Sequence, residues 1–215
     1  MNKPKITAIL NQKGGSGKTT IATNVATQLL TEGYKVLLID LDPQQSATDW
    51  AEQADEDKAT VPVIRMGKSL HKHIHEVTDK YDHVIIDGAP QIAELSGVAI
   101  RVADLVIIPC QPSPYDCWAC QPVVDVVKAR QDVTDGVPKA GFVISRAIKR
   151  TTLEGEVKEA LEYYQLPILH SCTTQRVDYA KTAKHGGSVV ELDKENPARH
   201  EIRMLTKEIL EYLNA

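Results

Sequence analysis

The chain has 215 residues, with 25 Lys+Arg against 29 Asp+Glu and a formal charge of −4. That length suits one domain, which buries roughly 70% of its unfolded surface and needs no disulfide or metal staple. The near-neutral balance argues against a uniformly basic nucleic-acid coat but leaves room for a local basic patch.

Apolar runs of strand length alternate with helical spacing along the chain. KITAILN (5–11) is a first strand, and TTIATNVATQLLTEG (19–33) is a helix stopped by Gly33. KVLLID (35–40), VPVIRM (61–66), HVIIDG (83–88), DLVIIPC (104–110) and AGFVISR (140–146) are further strands, and LPILHSC (166–172) is a candidate for another. Helices are expected over 46–54, 68–80, 91–103, 115–131, 152–164, 174–185 and 197–213. Continuous Val/Ile/Leu runs, without alternation, indicate strands buried on both faces. The expectation is therefore a single α/β domain over 1–215, with a mostly parallel sheet and helices on both sides. No apolar run is long enough to span a membrane, and the N-terminus shows no signal h-region. A cytoplasmic protein with its four cysteines as thiols is expected.

In such sheets, ligands sit beyond the carboxyl ends of the strands. The first of these ends carries QKGGSGKTT, from Gln12 to Thr20. The usual phosphate-binding loop begins with glycine where Gln12 stands, and this one adds a second lysine, Lys13. Gly14, Gly15 and Gly17 let successive N–H groups turn inward on an anion, and the helix starting near Lys18 adds its positive end. Lys18 can reach the β- and γ-phosphates, and the Thr19 hydroxyl can ligate Mg²⁺. VIIDGAP places Asp87 at the end of an apolar strand, where a carboxylate can hold Mg²⁺. LLIDLDPQQSAT brings Asp40 and Asp42 to the same edge. One of them is structural and the other is free to orient a water, and the spacing does not say which.

Four stretches in this order, KGGSGKTT, DLDPQQSAT, VIIDGAP and VIIPCQPSPYD, resemble the ParA/MinD class of deviant Walker A ATPases. The resemblance runs from about residue 5 into the C-terminal helix, and the DPQ and PSPYD stretches favour small plasmid-partition ParA proteins over MinD. It implies ATP and Mg²⁺ as cofactors, with Gly14, Gly15, Ser16, Gly17, Lys18, Thr19 and Thr20 around the phosphates. Lys13 is similar to the family's signature lysine, which reaches the nucleotide of a partner subunit in an ATP-bound homodimer. Lys18 is similar to the lysine that serves its own nucleotide, Asp42 to the switch aspartate that positions water, and Thr19, Asp42 and Asp87 to the groups around the metal. Pro112 and Arg146 fall where the family cradles adenine.

The same resemblance implies nonspecific DNA binding, nucleoid association in the ATP state, slow hydrolysis and stimulation by a DNA-bound centromere-binding adaptor. Arg146, Lys149, Arg150, Arg176, Lys181 and Lys184 are the basic candidates for phosphate contacts. With the loop starting at residue 12, no N-terminal helix-turn-helix domain is expected. A membrane-positioning ATPase of the MinD type is the alternative, with a small-molecule ligase or synthetase on the same scaffold behind it. Glu201, Glu208 and Glu211 argue against lipid binding by the last helix, whose Ile202, Leu205, Ile209, Leu210 and Leu213 suit core packing. Cys117 and Cys120 have C-x-x-C spacing but lack a second such pair, so packed thiols are expected there. His71 and His75 share a helix face in a solvated segment.

Overall fold

A computed structural model describes residues 3–55, 60–91, 93–148 and 153–215. Its centre is a parallel sheet of six strands: β1 (Lys5–Ile9), β2 (Val36–Asp40), β3 (Val63–Arg65), β4 (His83–Asp87), β5 (Leu105–Cys110) and β6 (Lys139–Ile144). Their order is β3-β2-β4-β1-β5-β6. Every residue of β2, β4 and β5 is buried, as their unbroken apolar runs require. Around the sheet lie helices α1 (Lys18–Thr31), α2 (Ser46–Glu52), α3 (Leu70–Thr78), α4 (Ala93–Val102), α5 (Pro114–Trp118), α6 (Gln121–Gln131), α7 (Leu153–Glu162), α8 (Val177–Ala183) and α9 (Pro197–Asn214), with a short 3-10 turn at Val189–Glu191.

Strand side chains alternate between two cores. Ile6 and Ala8 of β1, with Leu37, Ile39, Val84, Ile86, Val106 and Ile108, pack beneath α3, α4, α6 and α7. Ile9, Leu38, Ile85, Ile107 and Val143 face the other way, onto α1, α2 and α9. Burial of these aliphatic side chains, at about 1.5–3 kcal/mol each, is what holds the layers together. The apolar face of α9 is spent here: Leu205, Ile209 and Leu213 join the second core, and Ile202 a satellite with Tyr179, Val189 and Val190. Leu210 packs at its edge.

Two expectations need correction. The helix foreseen over 115–131 is two helices, because Pro122 lies in the first turn of α6. A proline ring clashes with the carbonyl four residues earlier, so the chain resets between Trp118 and Gln121. The segment 166–172 is not a full strand. It pairs with β6 at an isolated bridge, Phe142–Ile168, and a second bridge, Ala147–Thr174, lies beyond the ends of both. Pro167 offers a carbonyl to Phe142 N (2.8 Å) but has no N–H of its own. Two α9 side chains finish this edge: Glu208 accepts from the N–H groups of His170 (2.7 Å) and Ser171 (2.8 Å), and Glu201 from that of Thr174 (3.0 Å). The sheet edge is thus covered by a helix with acceptors, which blocks pairing with another chain.

The turn after α8 presses on α2. Trp50 Nε1 donates to Gly187 O (2.9 Å). Gly186, at φ +62°, would put any Cβ 2.3 Å from Ala54 N. Backbone sits on backbone there, and nothing flexible can yield. Gly186→Ala should therefore lower stability by about 2–4 kcal/mol. A urea-denaturation midpoint equal to wild type would refute this close approach.

Candidate nucleotide-binding site

All parallel strands deliver their carboxyl ends to one side. There, β1 lies between β4 and β5, and the chain after β1 becomes the loop Gln12–Gly17. The loop has the shape of an anion cradle. Gly15 (φ +74°) and Gly17 (φ +96°) take left-handed conformations that glycine reaches without strain. Gly17 is the N-cap of α1 and provides no side-chain cap. The first N–H groups of that helix thus face the loop with their partial positive charge uncancelled by a capping oxygen. A Cβ at Gly14 or Gly15 would meet nothing within 4 Å, so the backbone there is open to a ligand. Ser145 Oγ donates to Ser16 O (2.7 Å) and Gln111 Nε2 to Gly15 O (2.5 Å), which holds the loop from the ends of β6 and β5. Asn11 secures its start, donating to Pro109 O (2.7 Å) and accepting from Lys13 N (2.8 Å).

The two lysines of the loop diverge. Lys18 is buried, and its Nζ donates to Lys13 O (3.0 Å) across the loop. Burial lowers its pKa, and the Asp87 and Asp42 charges oppose that shift. Lys13 leaves the loop instead and pairs with Asp116 of α5 (Nζ–Oδ2 2.7 Å), with 38% of its side chain exposed against 5% for Asp116. The other oxygen of Asp116 is buried without a partner.

Sheet register sets the carboxylates. Asp87 ends β4 beside Ile9 of β1 and Asp40 of β2. It is fully buried, and its Oδ2 accepts from Thr19 Oγ1 (2.7 Å) while Oδ1 has no partner. Burial pushes its pKa up to about 7; the Thr19 hydrogen bond and the Lys18 charge only partly counter this, while Asp40 and Asp42 add to it. The Asp40/Asp42 alternative resolves by hydrogen bonding. Asp40 accepts from Asp42 N (2.9 Å), Thr48 N (2.9 Å) and Thr48 Oγ1 (2.8 Å), so it builds the turn into α2. Asp42 accepts from Gln44 N (2.9 Å) and lines the cleft over the loop.

That cleft has a volume of about 430 Å³. Its floor comes from Gly14, Gly15 and Gly17 to Thr20, and its rim from Asp42, Ser46 and Pro90. The remaining wall is Arg146 with Thr173–Arg176 and Tyr179. Ser16 is fully buried behind the loop. Arg146 (φ +53°) also reaches Gly15 O (3.5 Å). Pro112 does not line the cleft, whereas Thr173, Thr174, Gln175 and Tyr179, not singled out from sequence, do. Thr173, Thr174 and Gln175 sit on the irregular segment before α8, and Tyr179 on α8 itself. Asp116 was legible as part of the strand-end stretch PSPYD, but its pairing with Lys13 spans 103 residues.

The donor set suits a hard cation. Thr19, Asp42 and Asp87 are oxygen donors, and the buried Asp87 Oδ1 has no hydrogen-bond partner. No group of three or more His, Cys, Asp or Glu placed to hold a metal exists among the described residues. Cys110, Cys117 and Cys120 are buried and packed together (Sγ–Sγ 3.8 Å for Cys110–Cys117). The hydrogen bond with Cys110 and burial push the Cys117 thiol up, so it is an inert packed group.

The basic candidates scatter. Arg176 points into the cleft wall, its Nε on Glu201 (2.9 Å). Lys181 and Lys184 are exposed on and just after α8. Lys149 and Arg150 lie outside the described residues.

Comparison with known proteins decides the family. The model of the CobQ/CobB/MinD/ParA nucleotide binding domain matches residues 7–189. The chain belongs to this family. It is 27% identical over 213 residues to the maintenance of carboxysome distribution protein A of Halothiobacillus neapolitanus, covering 97% of this chain and 98% of that one. It is 26% identical over 239 residues to the chromosome-partitioning ATPase Soj of Thermus thermophilus, covering 94% of each. An ATP complex of a Cyanothece McdA variant superposes with a TM-score of 0.81 at 18% identity, over all of this chain and 98% of that one. A MinD of Pyrococcus horikoshii complexed with Mg-ADP gives 0.72 at 17% identity, over 96% of each. This ParA/MinD-type chain thus shares its fold with proteins solved with ATP and with Mg-ADP. Among the described residues, no helix is long and apolar enough to cross a membrane.

The buried Asp87 gives a pH signature. Its folded pKa, about 7, lies above the ordinary 3.8. The folded state therefore holds a proton that the unfolded state has lost between those values, and Asp87 makes stability fall as pH rises from about 4 to about 7. In nucleotide-free protein without divalent cation, Asp87→Asn should flatten this part of the profile. An unchanged profile by thermal melting would contradict it.

Proposed function

We propose that this chain is a Mg²⁺-dependent ATPase that works as a partition switch. It binds ATP, pairs with a second copy across the nucleotides, holds DNA without sequence preference while paired, and separates after slow hydrolysis. A DNA-bound centromere-binding adaptor stimulates that hydrolysis. The setting is the cytoplasm, on the nucleoid in the ATP state, with a plasmid or comparable DNA as cargo.

The observation that supports this reading is the divergence of the two lysines. Lys18 is buried under its own loop, whereas Lys13 points away from it to Asp116. A lysine that serves only its own nucleotide needs no such placement. The loop N–H groups, the α1 N-terminus and Lys18 bind the phosphates, and Asp42 orients the attacking water. Bound magnesium would neutralise phosphate charge from Thr19, Asp42 and Asp87. Arg146 borders the nucleoside half. Lys13 completes the neighbour's site once it leaves Asp116. That exchange bares a buried carboxylate, so it proceeds only where a phosphate of the partner's nucleotide receives the ammonium. Pairing is thereby tied to the γ-phosphate, and its loss favours separation.

Lys181 and Lys184, with Lys149 and Arg150 from the sequence, are the phosphate contacts of the DNA surface. A second reading changes the cargo alone: the relative named for carboxysome distribution matches nearly the whole chain, and the adaptor would then sit on a protein compartment. The membrane-positioning alternative is disfavoured because α9 buries Ile202, Leu205, Ile209 and Leu213.

DNA retention and particle size should be measured with ATP, with ADP and without nucleotide. Retention and dimer are expected with ATP only, and equal retention in all three conditions removes the switch. Lys13→Ala should keep ATP affinity within about twofold yet lose the ATP-dependent dimer. An ATP dimer that persists in this variant would refute the role of Lys13 across the interface.

A further inference from the structure

The wall of the cleft opposite the P-loop is held by one carboxylate that does not line it. Glu201 lies in the second turn of α9, 12% exposed at its side chain. Its Oε1 accepts from Thr174 Oγ1 (2.7 Å) and Arg176 Nε (2.9 Å), and its Oε2 from Thr174 N (3.0 Å) and Tyr179 OH (3.0 Å). Thr174, Arg176 and Tyr179 all line the cleft. One side chain thus fixes a backbone amide, a hydroxyl, a guanidinium and a phenol of the same wall.

Between Leu169 and Val177 the chain has neither helix nor strand. On its sheet side it is held by Ala147 N to Thr173 O (2.8 Å) and Gln175 N to Ala147 O (3.0 Å). Those bonds fix the backbone at 173–175 and leave the Arg176 guanidinium to Glu201; the Tyr179 ring is packed among Val189, Val190 and Ile202, and Glu201 holds its hydroxyl. Charge-assisted bonds of this kind are about twice as strong as neutral ones, and Glu201 offers four. Glu208, two turns further along α9, does the same for His170 and Ser171, but these do not line the cleft. The two glutamates therefore divide the work, Glu208 closing the sheet edge and Glu201 shaping the cleft.

We propose that Glu201 is the positioning residue of the nucleoside half of the site: from α9 it holds Thr174, Arg176 and Tyr179 in the arrangement that receives base and ribose, and contributes nothing to the phosphate half. This rests on the reading that a nucleotide occupies the cleft with its phosphates on the Gly14–Thr20 loop. The C-terminal helix then becomes part of the nucleotide site without touching the nucleotide.

Titration of wild type, Glu201→Ala and Glu201→Gln with ATP and with inorganic tripolyphosphate, in magnesium buffer, separates the two halves. Glu201→Ala should weaken ATP by about tenfold, as the loss of hydrogen bonds to a charged acceptor predicts. Its tripolyphosphate affinity should stay within about twofold, which also shows that the variant is folded. Glu201→Gln keeps a carbonyl acceptor for Thr174 but loses the charge facing Arg176, so its loss for ATP should be intermediate; it carries the test if the alanine variant does not fold. Unchanged ATP affinity in both variants, or equal losses for ATP and tripolyphosphate, overturns the positioning role. Wild type that binds tripolyphosphate but not ATP overturns the nucleotide reading itself, and this inference with it.

Discussion

The site depends first on a carboxylate that is costly where it stands. Asp87 is buried at the end of β4 with one oxygen on the Thr19 hydroxyl and the other unpaired. Parallel register puts it there: the same strand that lines both cores ends level with Ile9 of β1, at the root of the P-loop. Lys18, the nearest cation, is itself desolvated and bonded to a backbone carbonyl. Neither charge fully compensates the other, so the cleft holds electrostatic free energy that a cation and an anion arriving together would release. A site built this way favours a phosphate with its divalent ion over either one alone.

Around that centre, like residues take different roles through their local partners. Asp40 and Asp42 are two positions apart on one turn. Asp40 spends both oxygens on the turn that follows it, on the Asp42 amide and on the backbone and hydroxyl of Thr48 in α2. Asp42 keeps its place at the cleft because Asp40 has already built the turn. The lysines divide in the same manner, since Asn11 and the glycines orient the loop so that Lys18 folds inward and Lys13 outward.

Much of this was legible in the sequence because it is local. The strand–loop–helix of β1 and α1, the apolar run ending at Asp87 and the core face of α9 all follow from short-range spacing, and the structure has them. Other features rest on contacts that spacing does not show. Spacing alone left Asp40 and Asp42 open, and the turn-building part of Asp40 appears only in its bonds to Thr48, eight residues on. The division at Trp118–Gln121 was readable from Pro122, which outweighs the helical spacing on either side of it. The segment 166–172 has strand composition, yet its pairing is broken at Pro167 and completed by glutamates of α9. Those glutamates look like solvated charges in a helical pattern. Their role as acceptors for a sheet edge and a cleft wall depends on contacts 22 to 38 residues away.

Three secondary elements outside the P-loop therefore govern one cleft, each through a carboxylate. β2 does so through Asp40, which builds the turn under Asp42, α5 through Asp116 and Lys13, and α9 through Glu201 and the far wall. None of these carboxylates needs to touch a ligand to matter, because each fixes the place of a group that borders the cleft or leaves it. Under the proposed function the consequence is a division of sensing. The nucleoside would be read at the α9 wall in either phosphate state. The γ-phosphate would be read at Asp42 and, in the partner, by the lysine that α5 holds. A nucleotide that has lost that phosphate would keep the first set of contacts and forfeit the second. Retained nucleotide with a released partner is what a switch needs, and it follows from placing the two sets of contacts on different elements.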